Sequence, residues 1–181
     1  MNSEKNPSLP PVPFPNAYWV VPGRLLAGEY PDDMEEHGTR QKIMRMLQMG
    51  VNVYIDLTHP GDVWTTYHKI LRDEAADLGI AVEIHEHRIE DYGVPQPLEM
   101  KSILDEIDQA VAAGKIVYVH CLAGLGRTGT VVGCYLVRHG DEGETALRKL
   151  TQLRQSTLKA HMPSPENSRQ EMMILEWRVG Q

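Results

Sequence analysis

Cysteine is scarce in this chain, and its scarcity excludes several classes of protein. Only Cys121 and Cys134 are cysteines among the 181 residues, which is too few for the disulfide framework of a small secreted domain. Neither belongs to a group of residues with the spacing of metal ligands. The sequence therefore predicts thiols that stay reduced, and with them a cytoplasmic location.

Long apolar runs and excess basic charge are also missing. No stretch approaches the roughly 18 apolar residues of a membrane span, and the N-terminus has no basic region followed by an apolar one, as a signal peptide would. The chain has 18 Lys and Arg against 25 Asp and Glu, a net charge of −7. We therefore expect neither a membrane nor a nucleic acid as partner.

Strands and helices alternate along the sequence, which predicts an α/β fold with a mainly parallel central sheet flanked by helices. Predicted strands occupy 18–27 (two short strands about a Pro-Gly turn), 51–57, 80–87 and 115–119. Predicted helices lie near 43–49, 67–78, 98–113, 131–137, 142–154 and 165–179. In such a sheet the ligand site lies beyond the carboxyl ends of the strands.

The first sixteen residues differ from the rest because five of them are prolines. We interpret residues 1–16 as an extended proline-rich arm and residues 17–181 as a single folded domain. Pro10-Pro11-Val12-Pro13 is typical of a ligand for a proline-recognising protein. An arm that lies on the fold or remains disordered is the favoured alternative.

The most informative stretch runs from Val117 to Thr130, where a β-branched run ends in Cys121 and a short glycine-containing loop leads to Arg127 and a helix. A helix N-terminus and a nearby cation both lower the pKa of a thiol, which makes it a nucleophile. Backbone N–H groups in a glycine-containing loop bind anions, and the arginine fork binds two phosphate oxygens at once. The pattern therefore predicts a nucleophilic thiol beside a phosphoryl-binding loop. A Walker-type phosphate loop is excluded, because no Gly-x4-Gly-Lys-Ser/Thr run occurs.

The run His-Cys-Leu-Ala-Gly-Leu-Gly-Arg-Thr-Gly-Thr resembles the signature loop of the protein tyrosine phosphatase superfamily, in particular of its small, atypical dual-specificity branch. The resemblance implies hydrolysis of phosphate monoesters through a phosphocysteine intermediate on Cys121, with no metal or other cofactor. It assigns to Thr128 a hydroxyl that assists the departure of the sulfur, for which helix N-capping is the alternative. It makes His120 and Gln170 supporting residues. The implied phosphate-binding loop comprises Leu122, Ala123, Gly124, Leu125, Gly126 and Arg127.

A second catalytic group is needed to protonate the leaving oxygen. The segment 88–97 follows a predicted strand, so it leaves the sheet at the same edge as the thiol. It resembles the acid loop of the superfamily, in which an aspartate precedes a proline-containing turn about thirty residues before the cysteine. We predict Asp91 as the general acid and keep Glu90 as its rival.

The resemblance implies a phosphorylated protein or peptide as substrate. Phosphoinositide-directed relatives carry lysines inside the signature loop, where this chain has Leu122 and Leu125, so phosphotyrosine is favoured, together with phosphoserine and phosphothreonine if the pocket is shallow. The alternatives that remain are a phosphoinositide phosphatase, a module that binds phosphorylated partners without turnover, and another thiol chemistry such as sulfur transfer. Two further predictions assign no chemical role. Cys134 packs inside a helix, and His85 and His87 do not form a metal site because they lack a third ligand.

Overall fold

A computed structural model describes residues 10–33, 35–63 and 66–181. Residues 1–9, which include most of the predicted arm, lie outside the described residues. The strands are β1 Ala17–Val21, β2 Leu25–Gly28, β3 Val51–Asp56, β4 Glu83–Glu86 and β5 Ile116–His120. The helices are α1 Glu36–Gln48, α2 His68–Asp77, α3 Pro97–Ala112, α4 Gly126–Arg138, α5 Gly143–Leu153 and α6 Ser168–Glu176.

The five strands form one mixed sheet in the order β1-β2-β5-β3-β4. β5 lies at its centre and pairs in parallel with β2 and β3, and β4 extends the parallel part beside β3. Only β1 runs antiparallel, against β2. The predicted α/β fold with a mainly parallel sheet is thus confirmed, and β5 delivers the residue after His120 to the middle of the carboxyl edge.

Alternating side chains of the strands fill two separate apolar layers, one on each face of the sheet. Helices α3 to α6 cover the face that receives Val53, Ile55, Val117 and Val119. Helices α1 and α2 cover the opposite face. The alternation of side chains along a strand explains why the central strands are apolar on both faces.

Two predicted elements are shorter in the structure by more than two residues. The strand expected at 80–87 is restricted to β4, because the backbone N–H of Ile80 still closes the end of α2 by donating to the Ala75 carbonyl. The helix expected at 165–179 begins only at Ser168, since Asn167 caps it, and ends at Glu176, after which Trp177 is extended. Local caps, which the apolar periodicity does not reveal, set both limits.

The described part of the arm lies against the fold. The indole Nε1 of Trp19 donates to the carbonyls of Pro10 and Pro11, each at 3.0 Å. Phe14 is buried and packs edge-on against Tyr118, with ring centroids 6.0 Å apart. These contacts agree with an arm that lies on the domain. The boundary at residue 16 and the proline-recognising partner stay predictions.

Candidate active site

The carboxyl end of β5 and the N-terminus of α4 frame the loop that carries the predicted nucleophile. Cys121 follows β5 directly and is only 2% exposed, and α4 begins five residues later at Gly126. The Leu122 carbonyl accepts from the backbone N–H of Tyr30 at 3.0 Å, which ties the loop to the segment after β2. The strand, loop and helix predicted from the sequence are therefore present with the thiol at the mouth of the loop.

Gly124 is the position at which this loop requires glycine. Its φ is +73°, in the left-handed region that side chains disfavour. A Cβ there would lie 2.5 Å from the carbonyl carbon of Gly28 and 2.6 Å from the backbone nitrogen of Glu29. The loop thus passes so close to the end of β2 that no side chain fits between them.

The guanidinium of Arg127 is buried and held by groups from two other loops. Its Nη1 donates to the Ile89 carbonyl at 2.9 Å, to the Leu57 carbonyl at 3.5 Å and to the carboxylate of Asp62. Its Nη2 donates to Oδ1 of Asp91 at 3.0 Å. The planar fork is therefore fixed from several sides beside Cys121.

The electrostatic balance around Arg127 favours its charged form. Burial acts to lower the pKa of the guanidinium, but the nearby Cys121 and Asp62 outweigh burial and raise that pKa above its ordinary value. The cation therefore persists in a site from which most water is excluded, which is where its attraction for an anion is strongest.

The loop between β4 and α3 brings Asp91 to the arginine, as its place after a strand predicts. The Asp91 side chain is half exposed and pairs with Arg127. Glu90 is exposed, and its carbonyl accepts from the backbone N–H of Gly93 at 2.8 Å. Of the two rival carboxylates, the structure thus places Asp91 against the arginine.

His120 is fully buried directly before the thiol. Its Nε2 lies 2.8 Å from the hydroxyl of Tyr67, and its Nδ1 lies 4.0 Å from Oδ1 of Asp56. Burial lowers the pKa of the imidazole, although the Asp56 carboxylate opposes that effect. The ring packs against the aromatic rings of Tyr30, Tyr67 and Tyr118. These contacts fix the position of His120, and with it the start of the loop at Cys121.

Asp56, at the end of β3, is the centre of a buried polar group. Its Oδ1 accepts from the backbone N–H and the hydroxyl of Thr58, and its Oδ2 lies 2.9 Å from Nε2 of His68. Burial alone would raise the pKa of this carboxyl, but His120 and the hydrogen bonds from His68 and Thr58 outweigh it and hold the pKa well below the ordinary range. Asp56 is therefore ionised in the folded protein.

Thr128 and Gln170 both lie beside the loop. Thr128 is buried in the first turn of α4 with its hydroxyl 3.5 Å from the Gly28 carbonyl. The N-cap of α4 is Leu125, so the N-capping alternative for Thr128 is wrong. Gln170 is fully buried in α6, and its Nε2 donates to the Gly93 carbonyl of the acid loop at 3.1 Å.

Three groups at the site were missed by the sequence interpretation. Asp62 contacts Arg127, and Asn167 donates from Nδ2 to the Tyr92 carbonyl at 3.0 Å. The Lys159 ammonium bridges Oε2 of Glu29 at 2.8 Å and the Ala123 carbonyl of the signature loop at 3.1 Å. Each is an ordinary polar residue in a loop, so no motif marks it in the sequence. Only the fold brings them together.

The structure shows the surroundings of the two histidines and of the second cysteine considered in the sequence analysis. Nδ1 of His85 and Nε2 of His87 lie 3.1 Å and 2.9 Å from the same oxygen of Glu106. Among the described residues, no group of three or more His, Cys, Asp or Glu side chains is arranged to hold a metal ion. Cys134 is buried in α4, and burial raises the pKa of its thiol, in keeping with a packing role.

None of the helices described here is long and apolar enough to cross a membrane.

Comparison with known proteins identifies the class to which this fold and loop belong. Residues 15–172 match a family model described as a Swiss Army Knife protein, DSP-PTPase phosphatase domain. The mouse dual specificity protein phosphatase CDC14B is 30% identical over 125 residues, which are 67% of this chain and 24% of that protein. The chain thus spans about a quarter of that curated relative.

Solved structures show the same fold at lower identity. Tk-PTP in its active form superposes with a TM-score of 0.69 at 21% identity, covering 92% of this chain and 99% of the other. PTPMT1 in complex with PI(5)P gives a TM-score of 0.62 at 20% identity, covering 90% and 94%. The chain belongs to the DSP-PTPase family, the small dual-specificity branch of the protein tyrosine phosphatase superfamily that its signature loop predicts.

Proposed function

We propose that this protein hydrolyses phosphate monoesters through a phosphocysteine intermediate on Cys121. The observation that carries the proposal is the pairing of Arg127 with Asp91 at 3.0 Å beside Cys121. It joins the phosphate-binding residue to the predicted acid across two loops that are far apart in the chain. Membership of a phosphatase family supports the same chemistry.

In the proposed first step the Cys121 thiolate attacks phosphorus and the ester oxygen leaves with a proton from Asp91. The loop N–H groups, the N-terminus of α4 and the Arg127 fork stabilise the phosphoryl oxygens during transfer. The half-exposed Asp91 is placed to meet both substrate and solvent. In the second step the same carboxylate takes a proton from the water that hydrolyses the phosphocysteine, with Thr128 assisting the departure of the sulfur.

A phosphoryl group that enters must share Arg127 with the carboxylates that hold it in this structure. Nη1 and Nη2 donate to Asp62 and Asp91 respectively. A dianion that takes up the fork replaces part of these contacts with charge-assisted bonds of its own. Displacement of Asp91 from the guanidinium would free its carboxyl for the leaving oxygen.

The substrate we propose is a phosphorylated protein, with phosphotyrosine as the first choice. Leu122 is 41% exposed and Leu125 is buried, so neither signature-loop position offers a cation to a second phosphate. The relative PTPMT1 was solved with PI(5)P, which keeps a phosphoinositide as the alternative substrate. Binding of phosphorylated partners without turnover is the non-enzymatic alternative, and a cytoplasmic location stays a prediction.

The deciding experiment measures phosphate release from p-nitrophenyl phosphate at mildly acidic pH with EDTA and reductant. We expect turnover by the unmutated protein and none by Cys121→Ser, which keeps the loop but replaces the sulfur nucleophile. Turnover that persists in Cys121→Ser would refute the phosphocysteine step. Absence of turnover in both proteins would favour the binding module, and phosphopeptide affinity would then be measured.

The role of Asp91 is tested separately with Asp91→Asn and two substrates. Phenyl phosphate has a poor leaving group that needs a proton, whereas 2,4-dinitrophenyl phosphate has a good one that does not. We expect kcat/KM to fall by about 100-fold or more for phenyl phosphate and by much less for the activated ester. Glu90→Gln is the matched control; equal losses on both esters in Asp91→Asn would remove Asp91 from the role of acid.

A further inference from the structure

One short segment of the chain touches both catalytic loops. Residues 164–170, called here the bridging segment, lead into α6. The Ser164 hydroxyl donates to the Leu125 carbonyl of the signature loop at 2.8 Å, and Gln170 donates to Gly93 of the acid loop. The two loops that carry Cys121 and Asp91 are therefore fastened to one common support.

The acid loop is held by hydrogen bonds at Tyr92, the residue whose backbone conformation is the least favourable in that loop. Tyr92, which follows Asp91, has a φ of +57° and is the only described non-glycine residue with positive φ. Few non-glycine residues occupy this left-handed region, and those that do are held there by their surroundings. The Tyr92 side chain is 61% exposed, so the restraint must come from the backbone. The turn itself restrains Tyr92, because the Gly93 N–H donates to the Glu90 carbonyl and the Tyr92 N–H donates to Oδ1 of Asp91.

Asn167 adds a further restraint from the bridging segment. Its Nδ2 donates to the Tyr92 carbonyl at 3.0 Å while its Oδ1 accepts from the backbone N–H of Gln170 at 3.1 Å. The same side chain thus caps α6 and binds the acid loop. An amide suits both tasks because it has one donor end and one acceptor end.

The contact is made next to the acid itself. Asp91 lies immediately before Tyr92, and Nε2 of Gln170 donates to the carbonyl of Gly93, which follows Tyr92. Gln170 also lies over the start of α4, where a Cβ on Gly126 would come within 2.9 Å of its amide. The position of the acid relative to Arg127 is thereby set by two amide donors from the same segment.

We propose that Asn167 is a positioning residue that holds the acid loop by its Nδ2 donor, so that Asp91 stays within reach of the reacting phosphoryl group. The kinetic part of this proposal rests on the proposed function. The structural part, that the Asn167 amide is one of the two donors that hold the loop, does not. A shift of about 1 Å in a catalytic group is enough to cost a large fraction of the rate.

Two substitutions remove the donor but keep the helix cap. Asn167→Asp is isosteric and still accepts from Gln170, and Asn167→Ser does so without adding charge. Ser168→Asp is the matched control, because it adds the same charge one residue further along at an exposed position. All three should unfold at nearly the same temperature as the unmutated protein.

Hydrogen exchange measures the loop without any need for activity. We expect amide exchange in residues 90–95 to rise roughly three- to tenfold in both Asn167 variants, the equivalent of one lost hydrogen bond. Exchange in α6 and in Ser168→Asp should stay as in the unmutated protein. Unchanged exchange at 90–95 would overturn the proposal, as would a rise in Asn167→Asp that Asn167→Ser does not share.

Kinetics then test the consequence for Asp91. We expect kcat/KM to fall about three- to tenfold on phenyl phosphate, with little change on 2,4-dinitrophenyl phosphate. Equal losses on both esters, or none, would overturn the positioning role. If the unmutated protein shows no turnover, the proposed function fails, whereas the exchange experiment still decides whether Asn167 holds the loop.

Discussion

At the scale of single residues, the main feature of the site is that two carboxylates pair with the same cation, the guanidinium of Arg127. Arg127 meets Asp62 and Asp91 from different loops, and the first is the more shielded, at 11% side-chain exposure against 50%. If Arg127 binds a phosphoryl group as proposed, a buried carboxylate beside it competes with that anion. We therefore expect Asp62 to weaken the binding of phosphate.

Asp62→Asn should tighten the binding of inorganic phosphate by about tenfold, or roughly 1.4 kcal/mol, because it removes a negative charge from the anion site. Titration calorimetry measures this affinity directly. Asp77→Asn removes the same charge from an exposed position on α2 and should leave the affinity unchanged. Weaker binding in Asp62→Asn would show that Asp62 aligns the guanidinium rather than competing for it.

The second residue-scale prediction concerns stability against pH. The pKa of Asp56 is lower in the folded protein than in the unfolded chain, so its ionised form stabilises the fold above the unfolded pKa, near 4. That contribution is lost as the pH falls from about 4 towards the lower folded pKa. At pH 7, Asp56→Asn should reduce the free energy of unfolding by about 1–3 kcal/mol.

Urea unfolding of both proteins between pH 3 and pH 7 checks this prediction. The difference between Asp56→Asn and the unmutated protein should narrow below about pH 4, where the unmutated carboxyl begins to be protonated. A difference that stays constant over the whole range would mean that the hydrogen-bond geometry, and not the charge, is what Asp56 contributes.

At the scale of elements, the signature loop passes close to the end of β2, and this close approach sets the shape of the loop that we propose binds the phosphoryl group. Gly124→Ala would add left-handed strain and a clash with the backbone of Gly28 and Glu29. Because these neighbours are backbone atoms at the end of β2, and Gly28 is paired with β5, they cannot move aside without disturbing the sheet. We expect a loss of more than about 3 kcal/mol in unfolding free energy, together with loss of phosphate binding.

Gly23→Ala separates strain from clash in this experiment. Gly23 has a similar φ of +70°, yet nothing lies within 4 Å of a Cβ built there. Gly23→Ala should lower the free energy of unfolding by only about 1–2 kcal/mol, which is the penalty of the left-handed conformation alone. Equal costs at both positions, measured by urea unfolding, would mean that the loop relaxes away from β2.

At the scale of the whole molecule, one of the two apolar layers, the one beneath α1 and α2, reaches beyond the predicted domain boundary. Phe14 falls inside the predicted arm, yet it is 4% exposed and belongs to the layer beneath α1 and α2. The ammonium of Lys42 lies 5.6 Å from its ring centroid. The segment just before β1 therefore contributes to the core on that face.

Phe14→Ala should lower the free energy of unfolding by about 3–5 kcal/mol, as expected for truncating a buried aromatic side chain. Val12→Ala, at a position 40% exposed, should change it by less than about 1 kcal/mol. Thermal and urea unfolding of both variants make the comparison. A small effect of Phe14→Ala would support the boundary at residue 16 and a dispensable arm.

The sequence by itself determined the fold class, the central strand–loop–helix and the order of most elements. These features are local: apolar spacing fixes helices and strands, and Cys121 and Arg127 lie six positions apart in one segment. For the same reason the resemblance to the phosphatase superfamily was readable without coordinates, and the family match confirms it. The segment carrying Asp91 was predicted from its place after a strand and from its resemblance to the acid loop, and the preference for Asp91 over Glu90 stays a prediction.

Only the tertiary structure decided which distant residues meet. Asp62 lies between β3 and α2, whereas Lys159 and Asn167 both lie in the connection between α5 and α6, and no spacing relates them to the signature loop. Their contacts depend on the sheet order, which sets β5 between β2 and β3, and on the direction of each side chain at the loop ends. The sequence predicts a nucleophile and a phosphate-binding arginine from a local pattern. The groups that contact them are brought there by packing along the whole edge of the sheet, which no local pattern describes.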